Sequence, residues 1–342
     1  MSCLSGLATG IGSLPHTDAA KAVELVLKYC PQLPFWPQLP RRDMREGMVA
    51  QFSEGLPCLK LAGQGVVFNA ENKENQLEKF YEKVIGGELE NFKISPDYAS
   101  GLYAFCEELN KAGLKNIKAL KCHITGPLTF AAAIKNEEGK ALLHDEVFMQ
   151  AVIKGLAMKA LWQIKFFKKF GKKIIIFIDE PYLACLGSGY TPVNKEGVAK
   201  ILNELTQEIK SEDVLIGVHC CGNTDWTVFT DTEGIDIINF DAFGYLDKLL
   251  LYADDLKKFF GRGGMLCWGI VPTQEFSGKE KVKDLIAKIK EGVCALAKKG
   301  IEEKVARAGL LLSPACGLGT LEPAKAEAVL KLLSETSAKI SI

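Results

Sequence analysis

No charge of either sign dominates this sequence. Lys and Arg together number 42, and so do Asp and Glu, so the formal net charge over 342 residues is zero. Without a basic excess there is little to neutralise a phosphate backbone, which argues against nucleic acid as the main ligand. Long apolar runs are also missing. The most strand-like stretch, Ile174-Ile175-Ile176-Phe177-Ile178, falls far short of the ~18–20 residues that cross a bilayer. The N-terminus has neither the basic nor the apolar segment of a signal peptide, so a soluble cytoplasmic protein is expected. No internal repeat or low-complexity segment occurs. No Gly-x-Gly-x-x-Gly follows the first apolar run, which removes the usual sign of a dinucleotide-binding open sheet.

Cysteine is the residue in excess, with 11 copies. All but the adjacent Cys220 and Cys221 are scattered singly, in segments such as Phe105-Cys106 and Lys121-Cys122, and no Cys-x-x-Cys pairs mark a zinc ribbon. Most therefore read as small buried hydrophobes. The composition is otherwise that of a globular protein, 48% apolar and 25% charged. The length admits two domains or one α/β barrel.

Eight apolar, β-rich runs alternate with amphipathic helical patterns: Leu7–Gly12, Gln32–Gln38, Ile117–His123, Lys173–Asp179, Val214–His219, Asp236–Phe240, Met265–Ile270 and Gly309–Ser313. Continuous apolar strands separated by helices imply parallel pairing with both faces covered. The clearest helices are Asp18–Tyr29, Asp145–Phe170, Asn194–Lys210 (opening after Pro192), Lys281–Lys298 and Pro323–Ala338. The expected fold is a single (β/α)8 TIM barrel over residues 1–342. The stretch Arg41–Ala112, after the second strand, is too long for one β/α link. With turn signals at Gly63-Gln64-Gly65 and Gly86-Gly87, it should hold extra helices and a hairpin.

Function in such a barrel collects at the C-terminal ends of the strands, and chemistry-bearing residues cluster there. His219 and Cys221 are two apart, so on extended backbone their side chains share a face while Cys220 points away. Imidazole and thiolate are zinc donors. Cys316, at another strand end between Pro314 and Gly317, is the best third ligand, and Asp241 a weaker oxygen ligand. Asp179-Glu180-Pro181 closes the most apolar strand; a carboxylate there either receives a substrate ammonium or caps a helix and pairs with a loop cation. Ser13, after Ile11-Gly12, either caps the following helix or hydrogen-bonds a substrate carboxylate. His123 and His144 read as core and helix-start residues.

Six short motifs in one order carry a family resemblance. They are Thr9-Gly10-Ile11-Gly12-Ser13, Thr125-Gly126-Pro127-Leu128-Thr129, Ile178-Asp179-Glu180-Pro181, His219-Cys220-Cys221, Asp236-Ile237-Ile238-Asn239-Phe240-Asp241 and the run from Ser313 to Thr320. Nearly the whole chain resembles the C-terminal catalytic half of cobalamin-independent methionine synthase, in the uroporphyrinogen-decarboxylase-like barrel superfamily. The resemblance implies zinc held by His219, Cys221 and Cys316. Asp241 stands where the family has a glutamate ligand. It further implies that Asp179 holds the amino group of homocysteine, that Ser13 and the backbone at Gly12 hold its carboxylate, and that Asp43 substitutes for a substrate-binding glutamate. Arg41, Arg42 or Arg45 could instead meet an acidic group. Nothing here resembles the long enzymes' N-terminal half, so the implied methyl donor is a methyl-corrinoid, protein-bound, rather than a methyl-folate. Methyl transfer to another thiol such as coenzyme M, and a metal-free decarboxylase, are the alternatives.

Overall fold

The computed structural model describes residues 4–63, 65–111, 113–186 and 193–340. Its centre is a six-stranded parallel sheet whose spatial order follows the chain. A two-stranded antiparallel hairpin, β1 (Leu59–Ala62) and β2 (Gly65–Phe68), precedes it. The sheet then runs β3 (Ala119–Thr125), β4 (Lys173–Asp179), β5 (Val214–Cys220), β6 (Ile237–Phe240), β7 (Met265–Val271) and β8 (Leu310–Pro314). Helices connect the strands, as parallel crossovers require.

The period of two along each strand sorts its side chains. Ile175 and Phe177 of β4 pack with Leu215, Ile237, Met265 and Leu311 of the neighbouring strands in one cluster. Ile174, Ile176 and Ile178 belong instead to the cluster shared with the helices. Both faces are buried, which is why these strands read as unbroken apolar runs. Phe177 claims so much of the inner space that a Cβ on Gly217 would stand 2.3 Å from its ring. A lysine shares the interior: Lys121 is fully buried, its Nζ donates to the Ile11 carbonyl at 2.5 Å, and it lies 4.3 Å from the centre of the Phe177 ring.

Eight strands are expected from the sequence, and six form ladders among the described residues. The two N-terminal runs make single parallel bridges: Ala8 with Leu312 of β8, Ser13 with Gln38, and Phe35 with Lys121 of β3. Main-chain bonds follow the same path, from Thr9 N to Leu312 O, Gln38 N to Gly12 O, and Lys121 N to Pro34 O. The irregularity has a covalent cause. Pro34 and Pro37 have no N–H to give a ladder, and Gly10 and Gly12 interrupt the other run.

The expected insertion is present. Between residues 41 and 111 lie the β1–β2 hairpin and helices Lys73–Ile85 and Ser100–Lys111. Phe80 and Phe92 from this region pack on Ala151 and Met158 of helix Glu146–Lys168. Gln64, in the proposed hairpin turn, and Pro192, before helix Lys195–Ile209, lie outside the described residues. Helix Ala19–Tyr29 is capped by Asp18, whose carboxylate accepts from Ala20 N and Lys21 N; Ser13 is not its cap.

Filling the space beside Phe177 should cost stability without touching the site. Gly217→Ala is expected to lower unfolding free energy by ~1–3 kcal/mol through overpacking, read from a denaturant midpoint. An unchanged midpoint would mean that the ring moves aside freely.

Candidate metal centre and ligand site

Strand register builds the site. Thr125 of β3 is the Cα partner of Asp179, Asp179 of His219, His219 of Asn239, and Asn239 of Cys267. One row across four strands, Thr125 to Asn239, is therefore polar, and it ends at Cys267 in the apolar cluster. Cys221 follows His219 by two residues, and Cys316 follows β8 by two. The ligand atoms of His219, Cys221 and Cys316 all lie within 4.8 Å of one another. Cys220 is fully buried in the apolar cluster on the helix side, with burial pushing its thiol up to about 12.

The donor set suits zinc: one imidazole and two thiols, converging from two separate strands. The nearness of the two sulfurs pulls the Cys221 thiol down, with His219 helping, and pushes the Cys316 thiol up, since two thiolates side by side repel. Burial works against charge on His219, yet Cys221, Asp179 and Asn239 outweigh it and raise its pKa. His219 Nδ1 lies 2.5 Å from Asn239 Oδ1.

Asp241 stands apart from this group. It is the N-cap of helix Ala242–Leu249, and its Oδ1 accepts from Phe243 N and Gly244 N, both at 2.9 Å. It lines a cavity of about 290 Å³ together with Cys221, Tyr245, Glu275 and Cys316.

The neighbouring carboxylates Asp179 and Glu180 have separate roles. Glu180 is fully buried and accepts from Leu128 N at 2.9 Å, Thr129 N at 2.8 Å and Thr129 Oγ1 at 2.6 Å, tying the β3 loop to β4. Gly126 is needed beside it, since a Cβ there would meet Glu180 Cδ at 2.2 Å. Asp179 is 8% exposed, and its Oδ1 has no hydrogen-bond partner among the described residues. Burial lifts it to about 6, against the pull of His219 and Lys121. A buried carboxylate oxygen left unpartnered is costly unless a cation completes it.

Ser13 holds the loop that carries Cys316. Its Oγ accepts from Gly319 N at 3.2 Å and its carbonyl accepts from Leu318 N. Gly12 lies against the His123 ring, which stacks on Trp36 at 3.8 Å between centroids. A cavity of about 610 Å³ is lined by Ser13, Gln38, Arg41, Met48 and Cys316, and shares Thr273, Gln274 and Cys316 with the smaller one. Asp43 lines neither cavity: Arg45 engages its carboxylate and holds it down at about 2. The three nearby arginines are also committed, Arg41 to Glu322 and the Gly319 and Thr320 carbonyls, Arg42 to Glu46, and Arg45 to Asp43 and Asp97.

Sequence reasoning misses Gln38 and Asn239. The alternation along β6 that places Asn239 beside His219 is a signal that could have found the latter. Gln38 sits in a run whose prolines obscure the pattern.

No protein-family model and no curated protein matches the sequence. Among solved structures, the chain is similar to a B12-independent methionine synthase from Shewanella sp. W3-18-1 in complex with selenomethionine. The two share 15% identity and a TM-score of 0.60 over 98% of this chain and 97% of that one. The likeness is one of fold. A GH138 enzyme targeting pectin rhamnogalacturonan II aligns at 13% identity and a TM-score of 0.29, over 71% of this chain and 36% of that one, and carries no argument. No described helix is long and apolar enough to cross a membrane.

Asp179 links binding to stability. Its folded pKa lies above the unfolded value, so its stabilising contribution is complete below about pH 4 and is lost as pH rises through about 6. In zinc-free protein, Asp179→Asn should therefore raise unfolding free energy at pH 8 by as much as about 3 kcal/mol and bring no gain at pH 4. Equal midpoints at both pH values would mean that the carboxylate is already satisfied.

Proposed function

We propose that this chain is a zinc-dependent methyltransferase that methylates a thiol, most simply homocysteine to methionine. One juxtaposition carries the reading: a His/Cys/Cys donor set beside a buried carboxylate with an unpartnered oxygen. The donors suit a thiolate-loving ion with a position to spare, and Asp179 suits an ammonium. A thiol bearing an amino group answers both demands. The fold shared with a methionine synthase supports the same reading.

His219, Cys221 and Cys316 would hold zinc and leave a fourth position for the incoming sulfur. Zinc bound there supplies a charge that keeps a thiol deprotonated at neutral pH, roughly 30-fold more thiolate and about 2 kcal/mol. The chain's own residues supply orientation, which can be worth more. Asp179 would bind the amino group, and Ser13 and the Gly12 backbone would face the carboxylate. Asp43, tied to Arg45, is not assigned to the ligand. The proposed donor is a methyl-corrinoid rather than a methyl-folate. The two bridged N-terminal runs are read as the first two staves of a closed (β/α)8 barrel, and the cytoplasm as the compartment.

Zinc X-ray absorption with and without homocysteine tests this directly. About two sulfur neighbours rising to three on addition, together with methionine formed from methylcobalamin but not from methyl-folate, is the expected result. An unchanged sulfur count removes homocysteine as acceptor, and failure to bind zinc under reducing conditions removes the methyltransferase reading.

Asp241 receives its own test. Because its carboxylate is engaged as a helix cap, Asp241→Ala should retain stoichiometric zinc while losing ~1 kcal/mol of stability. Loss of zinc would make Asp241 an indispensable ligand.

A further inference from the structure

We propose that Asn239 is the positioning residue for His219, fixing its tautomer so that Nε2 is the nitrogen offered to a metal ion. The inference rests on His219 being a metal ligand.

Asn239 is fully buried on β6, between His219 on β5 and Cys267 on β7. Its side chain makes three polar contacts. Nδ2 donates to the Cys267 carbonyl at 2.8 Å and to Ser313 Oγ at 2.8 Å, and Oδ1 faces His219 Nδ1. The direction of this chain of bonds is set at its ends. A main-chain carbonyl only accepts, so the amide nitrogen must be the atom beside Cys267. Turning the amide over would place two acceptors face to face there. Ser313 agrees, since its hydroxyl donates to the Pro314 carbonyl at 2.9 Å and keeps a lone pair for Asn239 Nδ2.

With the amide fixed, Oδ1 can only accept, so the proton between it and His219 belongs to Nδ1. A neutral imidazole carries one N–H, and Nε2 therefore keeps its lone pair. The opposite tautomer would break a buried hydrogen bond and put an N–H where a ligand atom is needed. The same network reaches Ser313, three residues before Cys316. It thus ties the two strand ends that carry the donors into one arrangement, anchored on two main-chain carbonyls.

Zinc affinity by chelator competition, with two-bond proton–nitrogen spectra of the zinc-free protein at alkaline pH, tests the assignment. The chain has 4 histidines, so the His219 signal can be assigned by substitution. The wild type should show His219 protonated at Nδ1. Asn239→Leu should weaken zinc by ~10–100-fold and release the tautomer. Asn239→Asp, whose carboxylate accepts the same proton, should keep the Nδ1–H form in the spectra, although its second oxygen then faces the Cys267 carbonyl and costs stability. An Nε2–H form in the wild type overturns the proposal even if Asn239→Leu does not fold, and so does unaltered zinc affinity in a folded Asn239→Leu. A wild type with the Nδ1–H form that binds no zinc would sink the metal reading alone.

Discussion

Parallel strands in register repeat their side-chain direction at every second residue, so an inward row that turns polar does so at one level. In this protein that row is Thr125, Asp179, His219 and Asn239. Beneath it lie Phe177, Leu215, Ile237 and Met265. The apolar layers hold the strands in register, and the register brings residues far apart in sequence to neighbouring positions. Everything chemical in the molecule depends on that alignment.

Burial then decides what each polar group must do. Glu180 points away from the interior and finds Leu128 N, Thr129 N and Thr129 Oγ1, which makes it a fastener for the β3 loop. Its neighbour Asp179 faces the other way, as alternation requires, and is left with an oxygen that nothing among the described residues completes. Lys121, lower in the interior, is bonded to Ile11 O and so holds the run that leads to Gly12 and Ser13. Ser13 in turn holds the Leu318–Gly319 loop beside Cys316. Glu180, Lys121 and Ser13 are matched within the chain, whereas the Asp179 oxygen finds no partner among the described residues.

Much of this is legible in the amino-acid sequence. The alternation of apolar runs and helices locates β3 to β8 to within a few residues, because buried parallel strands leave an unambiguous apolar signature. The two-residue spacing of His219 and Cys221 places them together, and Cys220 away from them. Apolarity alone makes the N-terminal runs look like full strands, whereas prolines and glycines reduce them to single bridges. Asp43 stands out only through the family resemblance, and Asp241 as a polar residue at a strand end. Their engagement with Arg45 and with a helix N-terminus depends on local geometry that composition does not reveal.

The sequence by itself determined the periodicities, and with them the α/β class, the burial of both sheet faces and the end of the strands at which polar residues collect. Those are local properties, set by side-chain direction along a short stretch of backbone. Only the tertiary structure decided which polar groups satisfy one another: that Asn239 spans His219 and Ser313, that Glu180 is consumed while Asp179 is not, and that Cys316 meets Cys221. Such pairings join strands that lie far apart along the chain. They depend on strand register and on the competition for each buried hydrogen bond, and both come into being only when the chain closes on itself.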